Sequence, residues 1–136
     1  MKLSKEGATK LVVREGKRNK AYKDTKGIWT IGVGHTGPEV VAGLVWSEDQ
    51  IIDAFLKDVA WAEKAVSGVK APLTTNQFDA LVSFVFNVGA SQFARSTMKK
   101  MLDVGNYEGA ARQFDRWNIP PEIIGRRMSE KQQFLS

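Results

Sequence analysis

Two carboxyl groups and a hydroxyl stand at fixed spacing near the start of this chain: Glu15, eight residues, Asp24, five residues, Thr30. Together they are a usable inventory for acid-catalysed cleavage of a glycosidic bond. One carboxylic acid protonates the departing oxygen, while a carboxylate and a hydroxyl hold water on the opposite face of the sugar. Singly, each residue has a commoner explanation. A glutamate at a helix end is ordinarily a surface residue. Asp24 opens an Asp24-Thr25-Lys26-Gly27 turn, in which an aspartate bonds its own backbone two residues on. Threonine is at home in any strand. Glu15, however, falls at the C-terminal end of its helix, where the dipole disfavours an acidic side chain. The joint placement of the three, with glycines around them, carries the argument.

The elements that must position them follow from local pattern. Ser4 is a candidate N-cap, Leu3, Ala8, Leu11 and Val12 recur at helical spacing, and Gly16 is a natural stop after Glu15. From Ala21 to Gly37 the pattern changes to turn residues and short alternation, which predicts two or three antiparallel strands, with Gly32 and Gly34 permitting bends. Beyond Gly43 the chain reads as helical. Ser47-Glu48-Asp49-Gln50 and Thr74-Thr75-Asn76-Gln77 are both capping boxes. The first predicts a helix to about Val66. The second predicts a helix from Gln77 to about Val88 that is apolar nearly all round, hence the buried central helix, with Gly89 as a left-handed C-cap. Helices over about Ser91–Leu102, Tyr107–Trp117 and Glu122–Phe134 complete the chain. The fold class is therefore α+β, a mainly helical lobe plus a small β-hairpin lobe, with room for a polysaccharide in a cleft between them.

At 136 residues the chain is expected to form a single domain spanning 1–136. Cysteine is absent and His35 is the only histidine, which argues against disulfides, thiolate chemistry, zinc clusters and a Ser-His-Asp triad. No metal and no cofactor is expected. Twenty Lys and Arg against fifteen Asp and Glu give a charge of +5, which suits a polyanionic partner. The basic residues lack the aromatic interleaving of a nucleic-acid binder, so no nucleic-acid partner is expected. The first residues hold too short an apolar run for a signal peptide, which predicts folding in the cytoplasm.

Glu15-Gly16, Ala21-Tyr22-Lys23-Asp24, Gly27 and Thr30-Ile31-Gly32-Val33-Gly34-His35-Thr36 resemble, in order, the catalytic signature of the phage-type lysozymes, glycoside hydrolase family 24. A second block, from Gln77 to Gly89, is similar to that family's buried helix and its terminus. Ser96-Thr97 and the run Gly109 to Trp117 continue the likeness over most of the chain. The resemblance implies a lysozyme-like fold with the active-site cleft between lobes. It also implies an N-acetylmuramidase that cuts peptidoglycan between N-acetylmuramic acid and N-acetylglucosamine. Glu15 would be the general acid, Asp24 the carboxylate that activates water or supports the cationic transition state, and Thr30 a holder of that water. His35 would brace the hairpin, and Trp117 would pack near the active site. Arg126-Arg127 align with the family's paired arginines, and Arg126 is expected to pair with Glu15 and restrain its ionisation. The intervening Asn118 to Gly125 departs from the family, being stiffened by Pro120-Pro121 and lacking the glycine-rich loop.

The same resemblance implies an endolysin, acting as a monomer. It would stay in the host cytoplasm until a holin-like membrane pore admits it to the cell wall or periplasm. Three other readings compete. Cationic segments such as Lys99-Lys100-Met101-Leu102 could disrupt membranes, the chain could bind wall without cleaving it, or Glu15 could serve a lytic transglycosylase. Asp24 and Thr30 favour hydrolysis, since a transglycosylase needs no positioned water.

Overall fold

A computed structural model describes residues 1–136. The chain divides into two compact units, one formed by Ala8–Ala60 and the other by Met1–Gly7 with Trp61–Ser136. No helix is long and apolar enough to cross a membrane.

Helix α1 spans Lys5–Glu15. The hydroxyl of Ser4 accepts from the Gly7 N–H at 2.9 Å, satisfying one of the free donors of the first turn. The N–H and hydroxyl of Ser4 then donate to the buried Asp79 carboxylate at 3.0 and 2.5 Å. Gly7 lies so close to that carboxylate that a Cβ would come within 2.4 Å of its carbon, so only glycine fits. At the other end Gly16 takes a positive φ of 80° and donates to Val12 O at 2.8 Å, closing the helix at Glu15.

The hairpin consists of β1 (Arg18–Lys23) and antiparallel β2 (Trp29–Gly32). Tyr22 faces Thr30 and Lys23 faces Trp29, with an irregular register between Arg18 and Tyr22. A third strand is reduced to isolated bridges, Lys20 with Val45 and Ile31 with His35. Gly32 and Gly34 both have positive φ, and the tight bend they allow lets Ile31 and His35 exchange two backbone hydrogen bonds at 2.9 Å. Ile31, Ala21 and Val40 form a small buried cluster covered by Trp29, Leu44 and Trp46.

Both capping boxes form. Ser47 and Gln50 bond reciprocally at 2.8 and 3.2 Å ahead of α2 (Glu48–Asp58), as do Thr74 and Gln77 at 2.8 and 3.1 Å ahead of α4 (Thr75–Val88). The helix expected from Ser47 to Val66 is interrupted at Val59, after which α3 runs over Ala60–Ser67. The break leaves the apolar stripe Ile51, Phe55, Val59, Ala62, Val66 unbroken and buried, so periodicity does not betray it.

In α4 all eight residues from Phe78 to Val85 are buried. Gly89 caps α4 with positive φ, donating to Val85 O at 2.8 Å, but its φ 96°, ψ 151° lie outside the left-handed helical region, and it serves directly as N-cap of α5 (Ala90–Ala94). The helix expected over Ser91–Leu102 is also split. The Ser96 hydroxyl accepts from Lys99 N–H at 3.0 Å and starts a separate α6 (Thr97–Asp103). Next come α7 (Tyr107–Gln113), tightening into a 3-10 turn at Phe114–Arg116, a second 3-10 turn at Pro121–Ile123, and α8 (Ile124–Leu135). Phe84 of α4 is the centre of an aromatic core, with Phe93, Phe114 and Trp117 all edge-on to it at centroid distances of 6.4, 5.4 and 5.3 Å.

Candidate active site

Glu15, Asp24, Thr30 and His35 all belong to the Ala8–Ala60 unit, whereas Trp117 and Arg126 belong to the other. Glu15 is the exposed last residue of α1. Asp24 and Thr30 are brought together by one residue, Ile28. The Ile28 carbonyl accepts both the Asp24 N–H and the Thr30 hydroxyl, each at 2.9 Å, and so uses both its lone pairs. In return the Ile28 N–H donates to Asp24 Oδ1 at 2.9 Å, alongside the Lys26 N–H at 2.8 Å. Asp24 Oδ1 is thus bound into the turn, while Oδ2 makes no hydrogen bond within the protein. Thr30 is buried and its single proton is spent on Ile28, which leaves its hydroxyl oxygen only as an acceptor. Two acceptors on a rigid hairpin end are suited to receiving the two protons of one water molecule.

His35 is clamped on both ring nitrogens. Nδ1 lies 2.6 Å from Asp58 and Nε2 2.7 Å from Glu39. Two acceptors demand two N–H donors, so both bonds are complete only in the imidazolium form. Burial opposes that charge, but hydrogen bonds to Glu39 and Asp58, with their negative charges, outweigh it and raise the His35 pKa. The bond from His35 lowers the pKa of Glu39 in turn. The His35 ring also lies 5.3 Å from that of Trp46. The clamp ties the bend after β2 to the end of α2. Just after α1, Lys17 bonds Glu48 in the first turn of α2 and holds its pKa down.

Trp117 is half-buried, and its carbonyl accepts from Arg127 Nε at 3.1 Å. Arg126 donates from Nε to Glu130 at 3.0 Å and from Nη2 to the Ser83 carbonyl at 2.8 Å. Arg127 is 3% exposed, donates to Glu130 at 2.6 Å and to Asn87, and lies 5.0 Å above the Phe84 ring. The Ser83 hydroxyl completes the set by donating to Glu130 at 2.5 Å. Of the other tryptophans, Trp29 and Trp46 cover the hairpin cluster, while Trp61 stacks on Phe86 at 5.8 Å.

Residues 13–130 match the family model described as phage lysozyme. The chain belongs to the phage lysozyme family. The endolysin of Salmonella phage P22 is 41% identical to this lysozyme, over 100% of this chain and 99% of its own. A crystal structure of a P22 lysozyme mutant superposes with a TM-score of 0.94 at 40% identity, again covering 100% and 99% of the two chains. The muramidase domain of SpmX from Asticaccaulis excentricus gives a TM-score of 0.85 at 34% identity, covering 99% and 98%. The lysozyme-like α+β fold is shared with both.

Three residues that organise this lysozyme were not singled out in its sequence. Glu130 follows Arg126 and Arg127 at helical i+4 and i+3 spacing, which was a usable signal for pairing though not for burial. Asp58 meets His35 across 23 positions and Asp79 meets Ser4 across 75, and neither separation carries a local signal.

Proposed function

We propose that this lysozyme cleaves peptidoglycan by water attack at the muramic acid carbon, with Glu15 as general acid and Asp24 and Thr30 as the holders of the water. Membership of the phage lysozyme family makes the chain a glycoside hydrolase of lysozyme type, an endolysin muramidase acting on peptidoglycan. The observation that carries the finer reading is the Ile28 junction. It holds a carboxylate oxygen without a partner and an acceptor-only hydroxyl on the same turn of the hairpin.

Water donating one proton to Asp24 Oδ2 and the other to Thr30 Oγ1 presents its lone pair outward. Asp24 takes up a proton as the oxygen–carbon bond forms, and the Glu15 carboxyl gives one to the departing sugar oxygen. That sequence consumes one water per bond cleaved and inverts the anomeric carbon. His35 supports it by fixing the bend beyond Thr30, and Arg126 has a supporting role through its bonds to Glu130 and Ser83. Trp117 has a supporting role through its packing. The chain is proposed to work as one catalytic domain over 1–136, as a monomer, and to reach the wall from the host cytoplasm through a holin-like pore.

Mass spectrometry of fragments released from purified peptidoglycan tests the chemistry. Reducing muramic acid ends are expected from the wild type, with release slowed about 10²–10⁴-fold by Glu15→Gln. Anhydromuramic ends would replace hydrolysis with transglycosylation, and undiminished release by Glu15→Gln would remove Glu15 from the mechanism. Unchanged stability and an unchanged rate of release in Arg126→Ala would remove Arg126. Lysis on expression without any pore would end the holin requirement.

A further inference from the structure

Helix α8 leaves one face uncovered, and the residues on it keep a regular spacing. Ile124, Met128, Lys131 and Leu135 follow one another at intervals of four, three and four. All four line a cavity of about 810 Å³, to which Asp115 and Asn118 contribute from ahead of the helix. Ile124, Met128 and Leu135 are 44, 62 and 61% exposed. Apolar side chains so exposed and so grouped mark a surface meant to be covered. The opposite face of α8 is already filled, with Arg127, Glu130, Gln133 and Phe134 buried.

Intervals of four, three and four average 3.5 residues, the period at which one helix offers a continuous seam to another crossing at about 20°. From Ile124 to Leu135 that seam runs about 16 Å. Lys131 fits within it, because Asp115 draws its ammonium aside at 2.8 Å and leaves the aliphatic stem in the row. Three charged groups reach the cavity, and each is neutralised within the protein. Lys131 and Asp115 pair with one another, and Arg127 pairs with the buried Glu130 at 2.6 Å. Beside the seam, Gly125, Ser129 and Gln132 carry no charge. On a chain of net charge +5 this is a neutral face, so its complement is an uncharged apolar one, and an anionic surface gains nothing here.

Gly125 is an independent sign of a close neighbour. Of the twelve glycines, eight have positive φ. A Cβ on Gly7 or Gly109 would collide with a side chain, and one on Gly68 would come within 3.4 Å of Ala65 O. Gly125 has no such constraint: its φ is not positive, and a Cβ there would meet nothing within 4 Å. Alanine would be the better helix former at this position, so nothing inside the fold calls for glycine. A second backbone lying against α8 does call for it.

We propose that this face docks an amphipathic helix of a protein partner, one with an uncharged apolar seam, lying along α8 with its backbone against Gly125. Met128 and Leu135 anchor it, and recognition rests on shape and apolar burial rather than on charge.

The test titrates the isotope-labelled full chain by NMR with a synthetic heptad peptide. The peptide carries leucine at a and d, glutamine and alanine beside them, and balanced lysine and glutamate on its far face. Saturable shifts confined to Asn118 and α8 are expected, with an affinity that does not change between low and high salt. Met128→Gln and Gly125→Leu should each weaken binding about tenfold while keeping the wild-type rate of release from peptidoglycan. Gly125→Ala should raise Tm, which a glycine required by the fold would not allow. The proposal is overturned by a fall in Tm in Gly125→Ala, by the absence of saturable shifts, or by equal binding of a scrambled peptide of the same composition. It is also overturned if phosphatidylglycerol vesicles, or a second copy of the chain, shift the α8 resonances more strongly than the peptide does.

Discussion

Two ionic clusters in this protein are each built around one hub, and burial makes them different devices. Glu130 is completely buried and accepts from Arg126, Arg127 and Ser83. His35 is one-fifth exposed and donates to Asp58 and Glu39. Two of the partners of Glu130 are guanidinium groups, which stay charged at any accessible pH. The hub of the other cluster is an imidazole, whose charge is optional. Complete burial with permanent charges yields a fixed structural element, whereas partial exposure with a titratable hub yields an adjustable one.

The largest expected effect is at the buried hub. Glu130→Ala leaves two guanidinium groups without their carboxylate and should cost about 3–5 kcal/mol in urea unfolding. A loss below about 1 kcal/mol would mean that water reaches the cluster, and the contrast with His35 would collapse. Asp79→Ala comes next. It strips the Ser4 N–H and hydroxyl of their acceptor and should cost about 1–3 kcal/mol by the same measurement.

The His35 clamp should differ in kind, through pH. Its folded pKa is raised above the ordinary 6.5, so its stabilisation is fully present below 6.5 and is lost as pH rises through the folded value. The pKa of Glu39 is lowered below 4.5, so its share is present above 4.5 and lost as pH falls through its folded value. The gap in Tm between wild type and His35→Asn should therefore be widest between pH 4.5 and 6.5 and should narrow on the alkaline side. A gap independent of pH would show that His35 acts by packing on Trp46 alone. Smallest of all is the exposed pair of Lys17 and Glu48. Lys17→Met should leave Tm within the scatter of repeat measurements at 0.15 M salt, where such pairs are screened.

What the sequence discloses follows the reach of the interactions. The capping boxes of α2 and α4 join residues three apart, so both could be read directly and both formed. The buried run of α4 was legible because nearly every position is apolar. The break at Val59 was not, because the same apolar stripe continues on both sides of it. Ser96 splits α5 from α6 through a cap that a run of helix-compatible residues conceals. At the candidate site, Asp24 and Thr30 were recognisable by type and spacing. What joins them is the backbone of Ile28, and backbone groups carry no residue signature. The partners of His35, Ser4 and Ser83 lie 23, 75 and 47 positions away, so only the folded chain selects them.

The divided carboxylate of Asp24 has a consequence for what this position can become. One oxygen is anchored by the N–H groups of Lys26 and Ile28, and the other projects by whatever distance that anchorage leaves. A glutamate, though chemically the same acid, is one methylene longer and cannot keep both its grip on the turn and the same projection. The loop therefore acts as a gauge that admits a single side-chain length, and at this position the nearest chemical relative of aspartate is a poor replacement for it.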